Sequence, residues 1–315
     1  MNRKQIVIAG GSGFIGRALA AELSAHHFQV VILTRTPRAR TDGIREIAWN
    51  GKSPGAWTEI LDGARAVINL TGRNINCPHT PENLAAITAS RVDSVNALAA
   101  AIAQAKLPPR VWVQASAVGF YGDTGDTACD EHAPAGRNAL ADICRRWEAA
   151  FTAATVPETR KVTLRIGMVL GRDGGALPVL SKLARWCLGG AAGSGRQYVS
   201  WIHLTDLVKL FIVAIGRDNL HDVFNAVAPA AVTNAEFMAE LRRVLKRSWS
   251  PPAPEFAVHL GARLMGSEPA LALISQRCTP AKFLEMELRY QYPELRGALE
   301  NLCGKTGRQN ARKEK

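Results

Sequence analysis

The stretch AGGSGFIG, residues 9–16, restricts this chain more than any other. Gly10, Gly13 and Gly16 stand at G-x-x-G-x-x-G spacing, directly after the apolar run QIVIA and directly before the amphipathic run FIGRALAAELSAH. A strand that turns into a helix over such glycines exposes backbone N–H groups, and the positive helix N-terminus then faces a bound pyrophosphate. Glycine-rich turns also occur for packing alone. Here a second apolar run, QVVILT, follows at the distance of a β-α-β unit, which favours a dinucleotide site built on Gly10, Ser12, Gly13, Phe14, Ile15 and Gly16.

Beyond this unit, strand-like and helix-like runs alternate. REIAW and AVINL precede a long helix at 82–106; RVWVQA, a helix at 138–151 and KVTLRI follow. The class expected is α/β, a Rossmann-type doubly wound parallel sheet with a small C-terminal α/β lobe. At 315 residues and 47% hydrophobic content the chain can fill both cores. The alternation gives way after Gly171 to GGAAGSG and the proline-rich SPPAP, while WIHLTDLVKLFIVAI and DVFNAV return to the sheet. The expected division is 1–170 plus about 200–228 for the cofactor domain, 171–199 plus 229–303 for a lobe over the carboxyl ends of the strands, and 304–315 as a disordered basic tail.

The formal charge of +12 is drawn partly from that tail, whose twelve residues hold five basic side chains and one acid. No helix-turn-helix, zinc-finger or RNP-like pattern accompanies it, so no nucleic-acid partner is expected, only an affinity for anionic ligands. No apolar run reaches membrane-spanning length and the chain enters its first strand within a few residues, so no membrane association and a cytoplasmic location are expected. The six cysteines are scattered, which suggests reduced thiols and no metal site.

Selection of the dinucleotide falls at the end of the second strand, where an NAD enzyme places an acid on the ribose 2′-OH. Here stand Thr34 and Arg35, with Arg38 and Arg40 following. A guanidinium pairs with a 2′-phosphate that a carboxylate repels, so the expected cofactor is NADP. A solvated basic loop is the alternative, more for Arg38 and Arg40 than for Arg35.

With AGGSGFIG, the stretches INLTG, SAVGFYGD, LRIGMVLG and YVSWIHLTDLV resemble the extended short-chain dehydrogenase/reductases that act on sugar nucleotides. ICRRWEAAF, GGAL, GSGRQYVSWIH, FNAVAP, VTNAEF, QRCTPAKF and YPELRGAL are similar to one subgroup, the epimerase-like atypical members of the YfcH type, and the likeness runs from Lys4 to Leu302. It implies NADP, a lobe closing over a small-molecule substrate such as a nucleotide sugar, and a homodimer formed through the helices at 82–106 and 138–154. By position it puts Leu70 and Gly72 under the cofactor, Ser116 near the nicotinamide ribose, and Arg165 to Val169, Met168 included, by the carboxamide. Ordinary core is the alternative for Leu70, Ile166 and Val169, and a strand-end hydroxyl bonded to backbone for Ser116. The loops RNINCPHTP and EMELRYQYP depart from the family pattern where a substrate is touched. In WIHLTDL, Thr205 or Asp206 is expected to cap a helix.

Members of this superfamily carry a Tyr-x-x-x-Lys pair on the helix after YGD, the tyrosine as acid or base and the lysine as its activating cation. With Glu148 matched to the acid that follows, the lysine falls on Cys144 and the tyrosine on Leu140; the usual Ser/Thr falls on Ala117, with Ser116 one residue early. The inner face of the helix, Leu140, Ile143, Cys144, Trp147 and Phe151, is expected to hold no ionisable group except the thiol. Two classes remain: an NADP-dependent oxidoreductase or epimerase using Cys144, Tyr121 or Ser116, or a non-catalytic NADPH-binding sensor or structural partner. A small core residue is the competing role for Cys144, since apolar surroundings raise a thiol pKa and make it inert.

Overall fold

Seven strands form the central sheet of the computed structural model, which describes residues 4–304. They are β1 (Gln5–Ala9), β2 (Gln29–Thr34), β3 (Arg45–Ala48), β4 (Ala66–Asn69), β5 (Val111–Ala117), β6 (Arg160–Ile166) and β7 (Asp222–Ala226). Their order is β7-β6-β5-β4-β1-β2-β3, and every neighbouring pair is parallel. The inner strands read as unbroken apolar runs because helices cover both sheet faces: Ile6, Val7, Ile8, Val67, Ile68 and Val113 are fully buried. The doubly wound Rossmann-type sheet expected from the sequence is present. Apart from Gly304, the basic tail at 304–315 lies outside the described residues.

Strand order reverses between β1 and β4, and at such a switch point the loops beyond the carboxyl ends part to leave a crevice. Ala9 and Asn69 are register partners, so the loops after these two strands leave the sheet at one level. Further along, Ser116 of β5, Arg165 of β6 and Asn225 of β7 share a register row near the carboxyl ends. Parallel neighbours in one row project to the same face, which sets three polar side chains side by side.

The helices that flank this edge are locally specified. α1 (Phe14–Ala25) starts at Gly13 with no side-chain cap. α2 (Pro81–Gln104) has Thr80 as its cap and proline in its first turn, and α3 (Ala139–Ala153) is capped by Asn138, which accepts from Ala141 N–H. For α5 (Leu204–Gly216) the cap is His203, whose Nδ1 accepts from Thr205 N–H at 3.1 Å, rather than Thr205 or Asp206. The buried Asp206 carboxylate instead accepts from the backbone N–H groups of Gln291 and Tyr292, at 2.7 and 2.9 Å, and so pins a distant segment to the sheet domain.

A second core unites α4 (Leu177–Arg185), α6 (Asn234–Val244) and the helix Leu295–Cys303 around Trp201, Phe237, Leu241 and Leu299. Between them, Phe283 leaves this group, joins the main core and stacks on Phe224 at 4.9 Å. The chain around 283–290 thus packs with the sheet, inside the stretch 229–303 that the sequence suggests for the lobe. No helix among the described residues is long and apolar enough to cross a membrane.

Candidate functional site: the crevice between β1 and β4

Gly10 has φ +74°, a conformation that side chains with a Cβ rarely adopt, and a Cβ there would sit 3.0 Å from the Leu70 carbonyl and Thr71 N. The glycine turn therefore runs hard against the loop after β4. At Gly16 a Cβ would meet Gly11 Cα at 2.5 Å, so the turn folds onto the helix it opens. With no capping side chain at Gly13, the first-turn N–H groups of α1 face the crevice and lack partners within the helix. Thr71 Oγ1 is buried without a hydrogen-bond partner among the described residues. Bare donors, a cradle that a Cβ would fill and an orphaned hydroxyl fit a bound pyrophosphate and its ribose. Phe14 packs against the loop that follows Leu170, since a Cβ on Gly171 or Gly174 would meet its ring at 2.4 Å.

At the β2 end, Ser12 Oγ and Thr34 Oγ1 are 3.1 Å apart, and Arg17 Nη1 donates to Ser12 O at 2.9 Å. Arg40 is spent on ion pairs with Asp42 and Glu46, and Arg38 N–H donates to Glu46 Oε2 at 2.9 Å. Arg35 is exposed and has no ion-pair partner among the described residues. Because Arg38 engages Glu46 only through its backbone N–H, the cations left to receive an anion here are Arg35, Arg38 and Arg17, the last of which the sequence reading missed although it directly follows the third glycine of the turn.

On the other side of β4, Glu148 of α3 turns inward. Arg165 donates to it twice, Nε to Oε1 at 2.9 Å and Nη2 to Oε2 at 2.8 Å, and Ser116 Oγ donates to Oε1 at 2.5 Å. The inner face of α3 therefore carries a carboxylate besides the thiol, contrary to the sequence expectation. Glu148 lies one turn beyond Cys144, and the arginine within the apolar strand KVTLRI was the available signal for an acid facing it.

Tyr121 is buried in the same network. Its hydroxyl accepts from Arg165 Nη1 at 2.9 Å and donates to Asn225 Oδ1 at 2.8 Å, while the Arg165 guanidinium lies 3.4 Å over the Phe120 ring. Burial raises the Tyr121 pKa above its ordinary value despite Arg165. Burial, with Glu148 adding, likewise pushes the Cys144 thiol up to about 12, against the opposing pull of Arg91 and Arg165. Leu70 is half-buried against the main core, Met168 against the second core. Gly72 is exposed beside Arg91, whose guanidinium atoms would lie 3.1–3.3 Å from a Cβ there.

Gly119 is approached by Cys144, Leu140 and a residue from the far end of the chain. A Cβ on Gly119 would sit 3.7 Å from Cys144 Sγ, 3.7 Å from Leu140 Cβ and 3.9 Å from Gln276 Nε2. The loop after β4 is bridged to the segment that follows the helix Glu255–Leu264: Ser267 Oγ donates to Asn76 Oδ1, and His79 N–H donates to Glu268 Oε2 at 3.0 Å. Among the described residues no group of three or more His, Cys, Asp or Glu is arranged to hold a metal ion.

Residues 6–227 match the model of the NAD dependent epimerase/dehydratase family, and residues 253–302 match a domain of unknown function (DUF1731). The epimerase family protein ML0860 of Mycobacterium leprae is 36% identical over 301 residues, covering 95% of each chain. Among solved structures, the human epimerase family protein SDR39U1 (isoform2) with NADPH superposes with a TM-score of 0.83 at 31% identity, covering 95% of this chain and 98% of the other. A nucleoside-diphosphate sugar epimerase from Corynebacterium glutamicum superposes with a TM-score of 0.78 at 30% identity over 99% of this chain, which spans only 62% of that longer protein.

Proposed function

The chain belongs to the NAD dependent epimerase/dehydratase family, and from that premise we propose that it binds NADPH across the β1/β4 crevice, beside a cleft shaped for a nucleotide-sugar-like molecule. Likeness to the human NADPH complex and to the bacterial sugar-nucleotide epimerase supports the two halves of this reading. Gly10, Ser12, Gly13, Phe14, Ile15 and Gly16 hold the pyrophosphate through backbone donors. Thr34, Arg35 and Arg17 receive the 2′-phosphate. Leu70, Thr71 and Gly72 border the adenosine side, and Ser116 and Met168 the nicotinamide side, with Arg165 reaching that end only through Glu148 and Tyr121. When bound, the cofactor supplies a hydride.

What the cleft lacks is a matched proton. The carrying observation is that both Glu148 carboxylate oxygens are taken up by a bidentate arginine, and one of them also by Ser116, while the Cys144 thiol one turn earlier has a pKa pushed up to about 12. An effective general acid or base titrates near the ambient pH, which the thiol does not, and must reach the substrate, which a carboxylate clamped by Arg165 and Ser116 is poorly placed to do. Tyr121, raised in pKa and bonded on both sides, acts as scaffold. We therefore read the chain as an NADPH-binding protein, a sensor or structural partner, with negligible turnover on ordinary sugar nucleotides.

A second reading, an NADP-dependent oxidoreductase or epimerase, is favoured by Cys144 and the Gln276 amide both lying close to Gly119, two neutral groups able to hold a substrate. Calorimetric titration with NADPH, followed by turnover assays of Cys144→Ala, Tyr121→Phe and Ser116→Ala, separates the readings: rates lost in Cys144→Ala with NADPH affinity intact establish the enzyme. The reading places the protein in the cytoplasm as a homodimer through α2 and α3, so light scattering that gives a monomer at micromolar concentration removes the dimer.

A further inference from the structure

α7 (Glu255–Leu264) is thinly covered: of its ten residues only Ala262 is buried. Phe256, Leu260 and Leu264 recur at i, i+4 and i+8, which draws them into one stripe, and Phe256 and Leu264 are 73% and 80% exposed. Met265 extends the stripe at its end.

The chain that leads into α7 pairs with the chain that follows α4. Ala253 N–H donates to Ala191 O, Gly193 N–H to Ala253 O, both at 2.8 Å, and Arg242 reaches Gly189 O at 2.6 Å, so the segments around 189–193 and 249–253 run side by side. Exposed Trp186, at 71%, and exposed Leu188 stand just before the first segment, and Trp249, exposed at 68%, opens the second. Seven exposed large apolar side chains, two of them tryptophans, on α7 and the two paired segments that adjoin it exceed the scatter of single apolar residues found on ordinary surfaces.

Its rim is basic. Lys182 and Arg185 at the end of α4, Lys246 and Arg247 after α6, and Arg263 on α7 are all exposed. Glu255, paired with His259, is the one acid on α7, and neither 177–190 nor 245–254 contains any. We propose that this face docks on an anionic phospholipid surface, with the α7 stripe and the two tryptophans at the acyl boundary and the basic side chains on the headgroups. Tryptophan and basic side chains around an apolar helical stripe are the composition of an interfacial helix. Two copies of the chain face to face would set five cations against five, which argues against self-association through this surface. The inference is independent of the cofactor reading, because none of these residues borders the glycine turn.

The test is co-sedimentation of the full chain with phosphatidylglycerol vesicles and with phosphatidylcholine vesicles, together with tryptophan emission. The expected result is binding to phosphatidylglycerol at least about tenfold stronger than to phosphatidylcholine, reversed by salt, with a blue shift in emission. Phe256→Ser, Leu260→Ser and Leu264→Ser combined should abolish it, and Lys182→Glu with Arg185→Glu should weaken it by about tenfold or more. Unchanged melting temperatures of these variants exclude misfolding as the cause. Equal recovery in the supernatant with both vesicles, binding that survives the serine substitutions, or a dimer in light scattering that the serine substitutions dissolve each overturns the proposal.

Discussion

The Glu148 carboxylate and the Arg165 guanidinium are joined by two hydrogen bonds, 2.9 and 2.8 Å, with side chains only 12% and 6% exposed. A charge pair so far out of water is costly to break from one side, because the survivor remains buried and unmatched. Arg165→Met should therefore destabilise the fold by about 3 to 5 kcal/mol in urea denaturation, and Glu148→Leu added to it should restore much of that loss. Strictly additive losses would mean the two residues act separately.

Cofactor preference depends on the cations beyond β2. Arg35→Ala should lower NADPH affinity by about 1.5 to 3 kcal/mol, close to one or two decades in Kd, and leave NADH affinity unchanged. Isothermal titration with both cofactors reads this directly. Arg40→Ala should have little effect on either, since Asp42 and Glu46 already occupy that side chain. Equal losses for NADPH and NADH in Arg35→Ala would remove the 2′-phosphate assignment.

Gly10→Ala strains the backbone at φ +74° and presses a methyl against the Leu70 and Thr71 backbone. The conformational part alone costs about 1 to 2 kcal/mol, and displacement of the loop after β4 should also weaken NADPH binding. Ser12→Ala, at an exposed position, should leave the melting temperature nearly unchanged. A Gly10→Ala protein with wild-type melting and affinity would show the turn to be more forgiving than its contacts imply.

Alkaline pH should destabilise the protein through its buried thiols. Cys144 and Cys278 are each pushed up to about 12, mainly by burial, from an ordinary value of 9.0. A raised folded-state pKa means that the unfolded chain loses its protons first, so stability is full below pH 9 and falls as pH rises from there towards 12. Melting temperatures across that range check the sign, and Cys144→Ala should flatten the decline. At pH 8, iodoacetamide should label exposed Cys187 well before Cys144.

Strands of the sheet were legible because each inner strand is a short apolar run bounded by turns: QIVIA and QVVILT are the observed β1 and β2 residue for residue. The glycine turn was legible because its backbone conformation demands glycine at Gly10. Glu148 was not, since an acid beside Trp147 reads as solvent-facing until Arg165, seventeen residues away on another element, is placed opposite it. The cap of α5 was misplaced for a similar reason: a remote backbone at Gln291 and Tyr292 engages Asp206, leaving His203 to close the helix. Gln276 beside Gly119 is an approach across more than a hundred residues, of which one-dimensional periodicity holds no trace.

Whether the pocket moves a hydride at all is tested most directly by single-turnover transfer of label. The protein is loaded with NADPH deuterated at the nicotinamide C4, incubated with a panel of uridine and guanosine diphosphate sugars and their keto forms, and the sugars are weighed by mass spectrometry. With Glu148 locked by Arg165 and Cys144 protonated, the expected result is full cofactor occupancy and no deuterium in any sugar. Deuterium appearing in a sugar at a rate that Cys144→Ala abolishes, with NADPH affinity unchanged, would contradict it and make the thiol a catalytic residue.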